Sequence, residues 1–395
     1  MALAKCILQK DKEPSIKRYH PWIFSGAVKS IEPKPEEGDL LDVYSCSGEY
    51  LCTGYYQIGS ISVRILTFKK EEIDYSFWKT KITNAFKARL AMRFVDNDET
   101  TAYRLVSAEG DGLPGLIIDY YDGVAVCQFH TVGMYLVRDH ICNALKDVLG
   151  LRLAGVYNKS SDTLPFKAKV SHLDEALWGD VSPRVILEHN CQFEVNWLEG
   201  QKTGFFLDQR ENRRLVELYS KGRSVLNTFC YTGGFSVYAI RGGATKVVSV
   251  DSSQKAIDLT NENVSLNFGM KASHHEAIAI DAFEYLKDID NKFDLIILDP
   301  PAFAKHNNVL ENALQAYKRM NARAIKAIKP GGILFTFSCS QVVSKENFRK
   351  SVFAAATNSG REVRVLHQLT QPADHSFSIY HPEGEYLKGL ILYVE

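Results

Sequence analysis

SVLNTFCYTGGFSVYAIRGGATKVVSVD, residues Ser224 to Asp251, is the stretch on which the fold turns. SVLNTF is a short apolar run of strand length. Gly233 and Gly234 follow it, where glycine permits a tight turn and close approach of a ligand to backbone amides. FSVYAIRGG then has the length of a helix and ends on glycines, and KVVSV is a second strand closing at Asp251. Adjacent strands joined through a helix run parallel.

The alternation continues downstream. SQKAIDLTNENVSLNFG reads as a helix, EAIAI as a strand ending at Asp281, AFEYLKDI as a helix and FDLIILDPP as a strand. ENALQAYKRMNARAIKAIKPGG is a further helix, ILFTFSC a strand and KGLILYVE the closing strand. Such a series predicts an α/β fold, a parallel sheet covered on both faces. Ligands of these sheets bind at the carboxyl ends of the strands. Asn227, Asp251, Asp281, Asp299 and Cys339 fall there.

Upstream the pattern changes. Residues 1–72 alternate β-rich runs with glycine turns, as in GDLLDVYSCSGEYLCTGYYQIGSISVRILTF, and predict a small β-barrel. Within them Lys10, Lys12, Lys17 and Arg18 lie beside Tyr19, His20, Trp22 and Phe24, a mixture that can hold phosphates and stack on bases or can simply form a solvated edge over a core. Residues 73–183 predict a small α+β domain, with a helix over YSFWKTKITNAFKARLAMR that offers Phe77, Ile82, Phe86 and Leu90 to one face. Residues 184–395 form the third division, opening on a hairpin in VILEHNCQFEVNWLEG.

At 395 residues the chain exceeds a single core. With 45% hydrophobic and 24% charged residues it has a globular composition, and no apolar run is long enough for a membrane span. The start, MALAKCILQKDKEPSIKRYH, lacks the apolar core of a secretory signal. The eight cysteines are scattered without a C-x-x-C pair, which indicates no metal site and suits reduced thiols in the cytoplasm. A formal net charge of zero excludes a uniformly basic coat and leaves room for local basic patches, such as the run in YKRMNARAIKAIK with Arg210, Arg213 and Arg214.

NTFCYTGGFS has no G-x-G-x-x-G fingerprint, which disfavours a nicotinamide cofactor. Asp251 is spaced as an acid that meets ribose hydroxyls, and Asp281 as one that could accept an adenine amino hydrogen. The bland reading of either is a helix N-cap. A ribose ligand without pyrophosphate machinery suggests S-adenosylmethionine. In LDPPAF, Pro300 and Pro301 stiffen the turn after Asp299, so that the loop could hold a planar base.

KTGFFLDQRENR (Lys202–Arg213), NTFCYTGGFSVYA, VSVD, LDPPAFAK, FSCS and HPEGEYLKGL together resemble the bacterial ribosomal RNA large subunit methyltransferase I family, cytosine-5 methyltransferases of 23S rRNA. The likeness spans nearly the whole chain. It implies a class I S-adenosylmethionine-dependent methyltransferase with a Rossmann-like, seven-stranded sheet, preceded by a PUA domain and a small α+β domain. It implies cofactor contacts from Asn227, Phe229, Tyr231, Thr232, Gly233, Gly234, Asp251, Ser252, Asp281 and Asp299, with Phe206, Asp208 and Gln209 beside the pocket. It also implies 23S rRNA as partner, met by Pro300, Phe303, Lys305, Lys17, Arg18 and Arg210, and leaves room for a homodimer.

Carbon 5 of cytosine is a poor nucleophile, and thiolate attack on carbon 6 makes it reactive. Cys339 is the expected nucleophile, with Asp299 hydrogen-bonding the ring; Cys230, in the glycine turn, suits packing. The better-studied RNA cytosine-5 enzymes carry a second cysteine in a Pro-Cys at the fourth strand, where this chain has Asp-Pro-Pro. Methylation of a base nitrogen without covalent catalysis, and an inactive RNA-binding assembly factor, stay open at this point.

Overall fold

A computed structural model describes residues 3–165, 170, 173–269, 274–304 and 306–395. The chain forms two compact units, one of residues 1–186, 195–205 and 373–384, the other of residues 187–194, 206–372 and 385–395.

The first unit holds two sheets. A six-stranded sheet takes strands Ala4–Leu8, Trp22–Phe24, Val28–Glu32, Leu40–Tyr44, Tyr50–Tyr56 and Ile61–Thr67. It is mostly antiparallel and closes over Cys6, Leu8, Ile23, Leu41, Val43, Cys52, Val63 and Ile65. A five-stranded sheet follows, from Ala102–Ser107 to Glu175–Gly179. The predicted helix forms over Tyr75–Ala91, capped by the Asp74 carboxylate accepting from the Phe77 amide at 2.9 Å. Its buried face differs from the expected one. Leu90 is exposed, and Arg89 is buried instead, donating to the carbonyls of Arg104 and Asp374 and to the Asp111 carboxylate. An arginine can replace an aliphatic side chain in a core when its donors are satisfied in this way. The segment Ala373–Gly384 is pinned to this unit by the Asp374 carboxylate, which accepts from the Arg104 amide at 2.9 Å.

The second unit is built on a seven-stranded sheet. Its strands are β1 (Ser224–Thr228), β2 (Lys246–Asp251), β3 (His275–Ala279), β4 (Leu295–Leu298), β5 (Gly332–Ser338), β6 (Val363–Leu369) and β7 (Lys388–Val394). Its helices are α1 (Arg210–Ser220), α2 (Gly234–Arg241), α3 (Gln254–Phe268), α4 (Ala282–Tyr285), α5 (Leu310–Ala327) and α6 (Lys345–Ser359). The strand order is β3-β2-β1-β4-β5-β7-β6. The first five strands are parallel, and β7 lies antiparallel between β5 and β6. The order reverses between β1 and β4, where chains leaving in opposite directions open a crevice. LIIL of β4 and GILFTFS of β5 are buried throughout, as expected of strands covered on both faces. In register, Thr228 faces Leu298 and Leu298 faces Thr336, so the turns after β1, β4 and β5 emerge side by side.

Candidate active site

The turn after β1 is conformationally unusual. Phe229, Tyr231 and Gly233 have φ of 55°, 47° and 75°. Two of these are non-glycine residues in the left-handed region, held there by their neighbours. The Cys230 amide donates to the Val250 carbonyl at 3.1 Å, the Gly233 amide to the Cys230 carbonyl at 2.8 Å, and the Tyr231 amide to the Asp251 carboxylate at 3.1 Å. From α3, the Thr260 hydroxyl donates to the Tyr231 carbonyl and Asn263 donates to the Thr232 carbonyl, each at 2.9 Å. A Cβ at Gly233 would stand 2.7 Å from Thr260 Cγ2, so the glycine is required by both its φ and its space.

Asp251 ends β2 and organises this corner. Its other carboxylate oxygen accepts from the Ser253 amide at 3.0 Å. Ser252 is exposed beside it. Asp281 follows β3 and caps the short helix α4, accepting from the amides of Phe283 and Glu284 at 2.8 and 3.1 Å. Its capping role, the bland alternative, is thus present. Asn227 is fully buried, donating to Ser236 at 2.9 Å, and a chain of contacts continues through Ser249 to His275. It braces the β1 turn from within the sheet.

Phe206 packs edge-on against Tyr231, with ring centroids 5.2 Å apart. Arg213 holds that segment, donating to the Phe206 carbonyl at 3.0 Å and, through two nitrogens at 2.7 Å each, to Glu188. Burial alone would raise the Glu188 carboxyl, but the charges and hydrogen bonds of Arg213, with Arg210 nearby, hold it below the ordinary range. Asp208 accepts from the Tyr386 hydroxyl at 2.8 Å, and Gln209 accepts from Asn212 at 2.6 Å.

The turn after β4 carries Asp299 and Pro300. Phe303 lies beyond it against Phe283 and Tyr317, at centroid distances of 6.1 and 4.8 Å. Lys305 lies outside the described residues. Cys339 leaves β5 half-buried. The Ser340 hydroxyl after it donates to the Ala304 carbonyl at 2.5 Å, tying the β5 turn to the Asp-Pro-Pro loop. Because β4 and β5 pair in parallel, the turns carrying Asp299 and Cys339 emerge side by side, and burial, the first of its causes, pushes the Tyr317 hydroxyl up to about 12. Cys230 is 6% exposed, touches the Thr260 hydroxyl at 3.5 Å and is pushed up to about 12 by burial.

Two expectations about basic residues need correction, those for Arg210 and Arg213. Arg210 is 0% exposed, with Nε 3.6 Å from Glu188, so it supports the core and offers nothing to an RNA. Arg213 is buried with it. In the basic run, Arg323 donates to the carbonyls of Leu286 and Lys287 and pairs with Asp290, and Lys329 pairs with Asp294 at 3.1 Å, while Arg319 and Lys326 stand exposed. Lys17 and Arg18 do stand exposed, although Lys17 pairs with Glu49 at 2.6 Å. Near them Tyr19 meets Phe68 edge-on and Tyr380 at a tilt, with ring centroids 5.2 and 5.3 Å away, and Phe24 is exposed. The contribution of Tyr380 was not visible in sequence, since it lies far along the chain from Tyr19.

This geometry agrees with the comparisons to known proteins. Residues 175–374 match the family model for S-adenosylmethionine-dependent methyltransferases, and residues 6–68 match a PUA-like domain. A solved SAM-dependent methyltransferase structure from Streptococcus mutans superposes with a TM-score of 0.85 at 23% identity, and a methyltransferase solved with SAH superposes at 0.86 and 24%, both over the full length of each chain. The fold is that of an S-adenosylmethionine-dependent methyltransferase. The chain is 38% identical over 397 residues to ribosomal RNA large subunit methyltransferase I of Aeromonas hydrophila, covering 98% of this chain and 99% of the relative. It is 40% identical over 394 residues to the protein of that name from Tolumonas auensis, covering 98% of each. It belongs to the ribosomal RNA large subunit methyltransferase I family.

Proposed function

We propose that this chain methylates carbon 5 of a cytosine in 23S rRNA, with Cys339 as covalent nucleophile. The observation that carries the reading is the placement of Asp299 and Cys339 in the turns after adjacent parallel strands, next to the turn of β1. The cofactor fits the same edge. Asp251, fixed by two backbone amides, suits ribose hydroxyls; Phe206, Phe229, Tyr231, Thr232, Gly233, Gly234, Ser252 and Asp281 surround or brace that position, with Asp208 and Gln209 behind Phe206. S-adenosylmethionine supplies an electrophilic methyl group when bound.

The protein's own residues do the remaining chemistry. Cys339 adds to carbon 6, which makes carbon 5 an enamine carbon able to take the methyl group. Loss of the carbon 5 proton then expels the sulfur and restores the ring. Asp299 orients the base through N3 or its amino group, and Pro300 and Phe303 border it. The target base is unstacked to enter. Residues 1–72 are the docking division, with Lys17 and Arg18 on phosphates, residues 73–183 a spacer, and residues 184–395 the catalytic division.

A nucleoside digest of rRNA treated with the enzyme tests this reading. It should contain new 5-methylcytosine with wild type and none with Cys339→Ala. Appearance of an N-methylated base, with full turnover by Cys339→Ala, overturns it.

A further inference from the structure

Lys388 opens β7 directly opposite Ser338, the last residue of β5. It is 4% exposed. Its Nζ donates to the carbonyls of Ser340 and Tyr386, each at 2.6 Å, and so ties the turn that holds Cys339 to the segment leading into β7. Burying an ammonium costs several kcal/mol unless an anion balances it. Among the described residues no carboxylate lies within ion-pairing distance of Lys388, and Glu385, an acid whose charge acts on it, is paired with Lys345 at 2.5 Å. Two neutral carbonyls orient the ammonium without neutralising it. The sequence places Cys339 between Ser338 and Ser340, the residues Lys388 faces and grips.

We propose that Lys388 is the positioning residue of the reaction, an ammonium that keeps Cys339 as a thiolate and fixes the turn that aims it. This rests on Cys339 being the nucleophile. The charges acting on Lys388 support the pairing: burial lowers its pKa to about 8, Cys339 and Glu385 work to raise it, and Lys345 lowers it. Lys388 stays protonated throughout. The Cys339 thiol first gives its proton to water. The thiolate then forms the carbon–sulfur bond at carbon 6. After methyl transfer the carbon 5 proton goes to water, that bond's electron pair re-forms the ring double bond, and the carbon–sulfur pair returns to sulfur beside the ammonium. A stabilised leaving thiolate bears on adduct release in a chain whose fourth-strand turn offers Asp-Pro-Pro and no thiol.

The test is the rate of iodoacetamide alkylation at Cys339 against pH in the free enzyme, read by peptide mass spectrometry. Wild type should show an inflection at least one unit below the ordinary thiol value of about 8.5. Lys388→Met should restore that ordinary value, slowing alkylation at pH 7 about tenfold and leaving the rate at pH 10 unchanged; Lys388→Arg should keep the low inflection. Wild-type inflection at or above about 8.5 overturns the proposal even if Lys388→Met does not fold. So does an unshifted profile in a Lys388→Met variant that still binds S-adenosylmethionine. A low, Lys388-dependent inflection in an enzyme that makes no 5-methylcytosine supports the pairing while overturning the carbon 5 reading.

Discussion

Two turns at the same edge of one sheet each carry a cysteine, and their environments separate them. Cys230 sits in the turn after β1, under a backbone tied by Asp251, Thr260 and Asn263, with a thiol that burial pushes up to about 12. Cys339 sits in the turn after β5, half-buried, with a lysine ammonium gripping the next residue. The first turn is tied down by three side chains, and the second carries the cysteine proposed as nucleophile. Topology brings a residue to the functional edge; burial and neighbouring charge decide what it does there.

The comparison can be broken most sharply by exchanging the thiols' fates. Cys339→Ala should lower methyl transfer by more than about a thousandfold, since no enamine forms, while Cys230→Ala should stay within a few-fold of wild type. Transfer of labelled methyl groups to rRNA measures both, and comparable losses would erase the distinction between the turns.

The support around the first turn should yield next. Arg213→Met leaves Glu188 buried with the more distant Arg210 and the Tyr238 hydroxyl and should cost about 3 kcal/mol of stability, read by denaturant unfolding. The Glu188 carboxyl is held below its unfolded value, so the pair stabilises fully above about pH 4.3 and its contribution is lost as pH falls through the lower folded value. The gap between wild type and variant should therefore narrow with acid. A gap that is constant with pH would show that Glu188 is not its source.

Asp251→Ala removes acceptors from the Tyr231 and Ser253 amides as well as from a ribose. Affinity for S-adenosylmethionine should fall by roughly 2 kcal/mol by calorimetry, with alkylation of Cys339 unchanged. Unchanged affinity in a folded variant would remove Asp251 from the ribose. The smallest effect is expected far from both turns. Lys17→Ala with Arg18→Ala should lower the salt dependence of RNA binding by about 0.7 in log–log slope for each phosphate that these two side chains neutralise. An unaltered slope would place docking elsewhere.

Much of this was legible in the sequence because parallel strands write a periodic signal. The alternation from SVLNTF to ILFTFSC located the five parallel strands to within a residue or two, and with them Asp251, Asp299 and Cys339; Asp281 lies two residues beyond β3 instead of ending it, and the polar β6 (Val363–Leu369) was not read. Side-chain direction was not legible. Arg210 and Asn227 lie at positions where a ligand contact was reasonable, yet both point into the interior, where Glu188 and Ser236 meet them. The role of Lys388 depends on the antiparallel register of β7 against β5, which local pattern does not encode; the visible signal was a single charge opening the apolar strand KGLILYV. Tyr380 and the rest of Ala373–Gly384 joined the first unit from within the third division, through contacts such as Asp374 with Arg104 that no composition shift announces.

The central claim is that Cys339 bonds to its substrate base, and trapping tests it most directly. An rRNA fragment carrying 5-fluorocytosine at the target, incubated with the enzyme and S-adenosylmethionine, cannot lose fluorine as a proton is lost. A methylated protein–RNA adduct should accumulate, and peptide mapping should place the nucleotide on Cys339, with none formed by Cys339→Ala. An adduct on Cys230, or full methylation of unsubstituted RNA with no adduct on the fluorinated one, would contradict it.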